Sequence, residues 1–292
     1  MAELSVVICT HDRPDDLERC LAALARSEEP LEVVVVDSAS RARCEALVEP
    51  FRERIPALTY IHLDQPGVSR ARNAGVAASE APVVAFLDDD TVAAPGWAAA
   101  LLGAFARPDV GCVGGTCRPR FTTTRPRWLS DRLLQLAGIT RFGDEPREAR
   151  SSAEWPFGAN MAFRREALVE AGPFSIALGR QGHVLLSGED SDMVARVRGC
   201  GRRIWLEPGA IVEHTVHPER CRPGYYWRRL WWNGVSRAVK PSARVTIRLL
   251  VSVPLRLLMW AAVRDRLYLY RVAETAGYLA ARLGFASLKV GG

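Results

Sequence analysis

The first ninety residues repeat one unit, a short β-branched apolar run followed by a stretch with helical spacing. The runs are LSVVIC (4–9), LEVVVV (31–36), LTYIHL (58–63) and APVVAFL (81–87), bounded by Pro, Asp, Ser or Gly. Between them, 14–26, 41–54 and 68–79 place apolar residues one helical turn apart, most clearly Leu17, Cys20, Leu21 and Leu24. Near-continuous apolar strands separated by helices predict an α/β architecture, a Rossmann-like, mostly parallel sheet flanked by helices on both faces. Ligands of such sheets bind outside the carboxyl ends of the strands. The polar residues of this chain gather there: Thr10–Arg13 after the first strand, Asp37–Ser40 after the second, Asp64–Arg72 after the third, and Asp88, Asp89 and Asp90 after the fourth.

A chain of 292 residues, 48% of them hydrophobic, has ample material for one large domain or two small ones. The net charge of +6 is unevenly spread. From Arg220 onward 14 Lys and Arg face two acids, Asp265 and Glu274, a surplus of +12 that leaves −6 for the rest. A basic C-terminal quarter on a mildly acidic body suits an anionic partner, whether phosphate, membrane surface or nucleic acid. The seven cysteines show no CxxC spacing, which predicts reduced, mostly buried thiols. The first apolar run is too short for a signal peptide, and the expected location is the cytoplasm. No GxGxxG follows the first strand, which argues against a dinucleotide cofactor.

Beyond Asp90 the pattern loosens. Residues 118–154 are rich in Pro, Arg, Thr and Ser, with a short helix expected at 129–136, and read as an insertion or mobile loop. WPFGANMAFRREAL (155–168) predicts a strand leading into a helix, and GEDSDMVARVRGCG (188–201) a helix start and a Gly stop. A strand at 203–206 and a turn at EPGA (207–210) follow.

Three acids at one strand end repel unless neutralised, and capping the helix after Pro95 and Gly96 needs only one of them. A hard divalent cation such as Mg²⁺ or Mn²⁺ suits them, because it takes one or two carboxylates and leaves its other positions to phosphate and water. Glu189, Asp190 and Asp192 crowd the first turn of a helix, where the macrodipole alone favours acids. His214 follows a strand in VEHTVHPE, and a lone histidine there is an ordinary surface or core residue as often as a ligand.

In their order, SVVICTHDRPDDLERCLAAL, VVVVDSAS, GVSRARNAGVAASEAPVVAFLDDD, FGANMAFRREAL and SGEDSDMVARVRGCG with WLEPGAIVEH resemble the family 2 glycosyltransferases of the GT-A fold, from about residue 4 to about 230. The resemblance implies an inverting transfer of a sugar from a nucleoside diphosphate-sugar to an acceptor hydroxyl on a saccharide, lipid-linked glycan or natural product, with Mn²⁺ or Mg²⁺. It implies donor contacts for Thr10, Arg13, Asp37, Ser40, Arg72, Asn73, Asp88 and Asp89, and metal ligation by Asp90 with Asp88 and His214. It makes Asp190 the catalytic base, with Glu189 shaping the acceptor side and Trp155, Gly158 and Asn160 lining the acceptor pocket. A carboxylate is a far weaker base than an alkoxide, so the proton must leave the acceptor as the new bond forms.

The expected division is a catalytic domain at 1–219 and a basic helical region at 220–292. In YYWRRLWWNG (225–234), Arg228 or Arg229 could meet phosphate while the tryptophans stack on sugar, or the run could be an amphipathic helix packed on the body. From 245 to 263 the chain is apolar, but Arg248, Arg256 and Pro254 make a poor transmembrane span. Arg244, Arg248, Ser252 and Arg256 recur every four residues. One reading of 244–266 is a peripheral helix at the inner face of the membrane, drawn by anionic lipid; the other is a helical subdomain packing on the sheet or forming a dimer contact. Two further functions compete with transfer. A sugar-nucleotide pyrophosphorylase needs a Gly-rich phosphate loop after its first strand, which CTHDRPDD does not supply. A non-enzymatic basic adaptor would bind through its tail, and nothing in that tail resembles a nucleic-acid module.

Overall fold

The β-branched runs form the strands expected of them. In β1 (Leu4–Thr10) and β2 (Leu31–Ser38) the valines and Ile8 are wholly buried, because helices cover both faces of the sheet. β3 (Ala57–Leu63) and β4 (Val83–Asp88) complete a parallel set in the order β3-β2-β1-β4. α1 (Pro14–Leu24) opens on Pro14, carries Asp15 and Asp16 in its first turn, and buries Leu17, Cys20, Leu21 and Leu24. α2 (Glu45–Val48) is shorter than the 41–54 pattern, giving way to a 3₁₀ turn at Glu49–Glu53 where Pro50 lacks the N–H that an α-helix needs. α3 (Val68–Ala77) returns the chain to β4. This computed structural model describes residues 2–151, 154–182, 184–239 and 243–285, with the side chains of 243–245 excepted. Lys240, Lys289 and the side chain of Arg244 lie outside the described residues.

After β4 come β5 (Thr91–Ala93), α4 (Trp97–Phe105), β6 (Val110–Phe121), α5 (Asp131–Gln135), β7 (Arg147–Glu148), β8 (Asn160–Arg164), α6 (Arg165–Ala171), α7 (Glu189–Gly199) and β9 (Arg203–Val216). The sheet continues β4-β8-β6-β9-β5, with β7 also on β9. β8 runs antiparallel to both β4 and β6, and β5 and β7 run antiparallel to β9. The sheet is therefore mixed, and its parallel half ends where the strict strand–helix alternation of the sequence ends.

Two expectations change. Residues 118–154 carry ordered elements: 118–121 finish β6, Ser130 caps α5 by accepting from Leu133 N–H, and Leu129, Leu133 and Leu134 are buried. The apolar spacing of Leu129, Leu133 and Leu134 carries that order despite the polar composition around them. EPGA is no turn, since β9 runs through it. Glu207, Pro208 and Gly209 fall between the stretch paired with β7, at Trp205 and Leu206, and the stretch paired with β5, from Val212. The missing N–H of Pro208 costs no bond to either of those partners.

The chain forms two compact units. The first comprises 1–120, 138–176 and 189–215, and the second 121–137, 177–188 and 216–292. In the second, α8 (Pro223–Val239) and α10 (Arg266–Arg282) pack closely, and α9 (Ala243–Val263) lies along α10. Gly234 faces the Glu274 carbonyl and Gly277 the Trp231 carbonyl so closely that neither position has room for a Cβ. Tyr226 stacks on Tyr270 at 6.2 Å, and Trp227 meets the same ring edge-on at 5.0 Å. All seven cysteines are free, four of them buried.

Candidate active site

β4 ends at Asp88, and Asp89 and Asp90 form the turn that follows it. Asp89 turns to the β1 side, where its Oδ2 accepts from Thr10 Oγ1 at 2.9 Å and its Oδ1 lies 3.4 Å from Arg13 Nη1. Asp88 and Asp90 each bring a carboxylate oxygen close to His214. The antiparallel pairing of β5 with β9 sets His214 opposite Thr91, one residue from Asp90. His214 Nε2 stands 3.0 Å from Asp90 Oδ1, and its Nδ1 lies 3.3 Å from the Gly138 carbonyl. One ligand atom each from Asp88, Asp90 and His214 fall within 4.8 Å of one another, and Asp90 and His214 are buried. Two carboxylates and an imidazole held this close form a donor set that fits Mn²⁺ or Mg²⁺.

Arg13 balances this charge from α1's entry, with Nη1 donating to Asp90 Oδ2 at 2.8 Å. Burial opposes the Arg13 cation, but Asp89 and Asp90 outweigh it and hold the guanidinium charged. Burial, reinforced by Asp90, pushes Asp89 up to about 7 against the pull of Arg13 and Thr10.

A second charged cluster joins α3 to α7. Arg72 is almost fully buried, its guanidinium 5.4 Å from the centre of the Phe174 ring and 5.8 Å from that of Phe86. Its Nη1 donates to Asp190 Oδ1 and lies 3.4 Å from Glu189 Oε1. The Gly158 N–H donates to Asp190 Oδ2 at 2.8 Å, and a Cβ on Gly158 would collide with Arg72 Nη2. Asp190 is thus fixed through both oxygens yet keeps partial exposure, with its side chain 18% accessible. Burial opposes the charge on Arg72, and Asp190 and Glu189 override it. The two clusters share the carboxyl end of β1, where the half-buried Cys9 thiol feels Arg72, Asp88, Asp89 and Asp190 together.

Several residues expected to meet substrate are occupied by the protein itself. Asp37 is wholly buried and accepts from Ser40 N–H at 2.9 Å and Tyr60 Oη at 2.7 Å, with His62 Nδ1 3.3 Å away. Burial works against its charge, and these hydrogen bonds outweigh burial and hold the carboxyl below its ordinary range. Ser40 Oγ accepts from Asp12 N–H at 2.9 Å, and Asp12 accepts from Arg41 N–H at 2.8 Å, which ties the loops after β1 and β2 together. Asn73 exchanges two hydrogen bonds with the Phe174 backbone, at 2.8 and 2.9 Å. Asn160 is wholly buried between Trp97 Nε1 and the carbonyls of Thr116 and Ala210, so it joins strands instead of facing an acceptor. Trp155 is half-buried and stacks on Phe157 at 6.1 Å. Arg228 and Arg229 belong to α8 of the other unit, where Arg228 is exposed and Arg229 Nη1 donates to the Leu185 carbonyl at 3.4 Å.

Tyr60 and His62 escaped the sequence reading. Both are polar and lie two apart in LTYIHL, so they share a face of β3, and the β2–β3 register sets His62 against Asp37. That alternation was visible. The contact of Gly138 with His214 had no comparable signal.

The model of glycosyl transferase family 2 matches residues 5–172. A glucosyl-dolichyl phosphate glucuronosyltransferase of Haloferax volcanii is 26% identical over 244 residues, 81% of this chain and 77% of that protein. The succinoglycan biosynthesis protein ExoM of Rhizobium meliloti is 29% identical over 240 residues, 79% of this chain and 72% of its own. Among solved structures, a mannosyltransferase from Pyrobaculum calidifontis in complex with GDP-Man and Mn²⁺ matches with a TM-score of 0.64 and 21% identity, over 95% of this chain and 87% of that one. The fold is thus that of the GT-A glycosyltransferases, and the chain belongs to glycosyl transferase family 2 and is a glycosyltransferase.

Proposed function

We propose that this enzyme moves a sugar from a nucleoside diphosphate-sugar to an acceptor hydroxyl with inversion, using a divalent cation held by Asp88, Asp90 and His214. The convergence of those three ligand atoms within 4.8 Å carries the reading. When bound, Mn²⁺ or Mg²⁺ supplies positive charge against the negative charge that builds on the departing diphosphate. Arg13, within bonding reach of Asp89 and Asp90, supplies fixed positive charge to the same region. Asp190 takes the acceptor proton as attack proceeds, and Arg72 with the Gly158 N–H aims its carboxylate. Asp37 and Ser40 shape the loop that seats the nucleotide, acting through the walls they build. The solved mannosyltransferase with GDP-Man and Mn²⁺ supports the donor class and the cation. The names of the two relatives support an acceptor that is a lipid-linked or polymeric saccharide.

The test is thermal stabilisation by Mn²⁺ with UDP, GDP or dTDP, followed by metal-dependent hydrolysis of the matching nucleotide sugars. One nucleotide should raise the melting temperature in the presence of Mn²⁺, and Asp90→Asn should abolish the effect while staying folded. If no nucleotide shifts the wild-type melt with either Mn²⁺ or Mg²⁺, the proposal is wrong.

A further inference from the structure

α9 has two unlike sides. Of residues 246–263 only Leu249 is buried, although the stretch is long and apolar enough to cross a membrane. At 100° per residue, the arc centred on Ile247, Val251 and Leu258 spans roughly 160° and contains no polar side chain. Val251, Leu258, Ile247 and Leu255 on that arc are 71, 68, 62 and 61% exposed. The opposite side is bound to α10. Arg256 Nη1 donates to the Arg271 carbonyl at 2.7 Å and to Thr275 Oγ1 at 3.2 Å, and Thr246 Oγ1 pairs with Tyr278 Oη at 2.6 Å. Of the four-residue basic repeat, Arg248 is exposed whereas Arg256 turns into the helix pair, so these two do not share an outward face.

We propose that α9 docks this protein on membranes rich in anionic lipid, lying in the plane of the interface with its apolar arc sunk among the acyl chains. What α9 is attached to disfavours crossing the bilayer. A span would carry Arg256 into hydrocarbon, and α10, which follows after the short link at Arg264 and Asp265, would bring Arg271 and Glu274 with it. Glu274 is buried and accepts from Arg237 Nε on α8 at 2.7 Å, so α10 is tied to α8 as well as to α9.

Charge selects lipid over a second copy of the chain. Arg248, Arg264, Arg266, Arg271 and Arg282 are exposed, and Asp265 and Glu274 are the only acids between 246 and 285. A two-fold contact through α9 would bring two copies of this basic surface together with only two acids each to offset it, whereas phosphate headgroups neutralise it. At the end of α9 the Arg264 guanidinium lies 6.0 Å from the centre of the Trp260 ring, a cation and an aromatic suited to the headgroup layer.

Flotation of the full chain with phosphatidylcholine vesicles, with and without phosphatidylglycerol, tests this. Binding should require the anionic lipid, weaken in high salt, and fall about tenfold or more in Val251→Asp/Leu258→Asp. Both side chains face solvent, so the variant should keep its melting temperature and far-ultraviolet circular dichroism. The proposal is overturned by absence of binding to either vesicle, by binding that the double variant leaves intact, or by light scattering that shows a dimer which the variant splits. Resistance of the vesicle-bound protein to alkaline carbonate would equally overturn it, since that marks a spanning helix.

Discussion

Arg13 Nη1 donates to Asp90 Oδ2 at 2.8 Å and lies 3.4 Å from Asp89 Oδ1, so one guanidinium answers two of three clustered acids. It stands where positive charge is needed before any cation arrives. Arg13→Gln should lower the melting temperature of the metal-free protein, costing about 1–2 kcal/mol, less than the about 3–5 kcal/mol of a fully buried pair because Arg13 is half-exposed. Mn²⁺ should then raise the melt of the variant by more than it raises that of the wild type. Equal Mn²⁺ shifts in the two proteins, read by differential scanning fluorimetry, would show that Arg13 does not offset the acids.

The pH dependence follows from Asp89. Its folded value of about 7 exceeds the ordinary 3.8, so the folded protein holds this proton more tightly than the unfolded chain does. Its contribution is complete below about pH 4 and is lost as pH rises through about 7. The metal-free protein should melt lower at pH 8 than at pH 5, and the Mn²⁺-induced rise should grow across the same interval, because a nearby cation favours the ionised cluster. A Mn²⁺ shift independent of pH from 5 to 8 would contradict it.

The position of the candidate site was legible in the sequence. Strand ends in a parallel sheet are where ligands bind, and the acids at 88–90 lay at one. The turn after Asp88 hands Asp89 to Thr10, and β5–β9 pairing turns His214 from an isolated histidine into Asp90's neighbour. The sequence could not show that Asn160 and Asn73 are taken up by backbone, because their partners Ala210 and Phe174 lie 50 and 101 residues away. Nor could it show the mixed sheet, since an antiparallel strand such as β8 has the same apolar composition as a parallel one.

Asp190 can be separated from the donor site. Asp190→Asn keeps its size and can still accept from the Gly158 N–H, so nucleotide affinity should stay within about twofold while turnover falls by about 10²–10⁴. Single-turnover transfer and nucleotide titration on the same preparation check both halves. Gly158→Ala should also lower turnover, because the new methyl displaces Arg72 and with it the carboxylate. If Asp190→Asn turns over at the wild-type rate, another group is the base.

In the helical unit, two glycines of α8 should respond differently to the same change. Alanine gains up to about 1 kcal/mol over glycine in a helix interior. At Gly224 nothing lies within 4 Å of the added methyl, so Gly224→Ala should leave the melting temperature unchanged or slightly raised. At Gly234 the methyl meets the Glu274 carbonyl, a backbone atom that cannot swing away, and overpacking of this kind costs about 1–3 kcal/mol. The clash outweighs the propensity gain, and Gly234→Ala should lower the melting temperature by parting α8 from α10. A melt of Gly234→Ala equal to or above that of Gly224→Ala would mean that the two helices do not pack through this glycine.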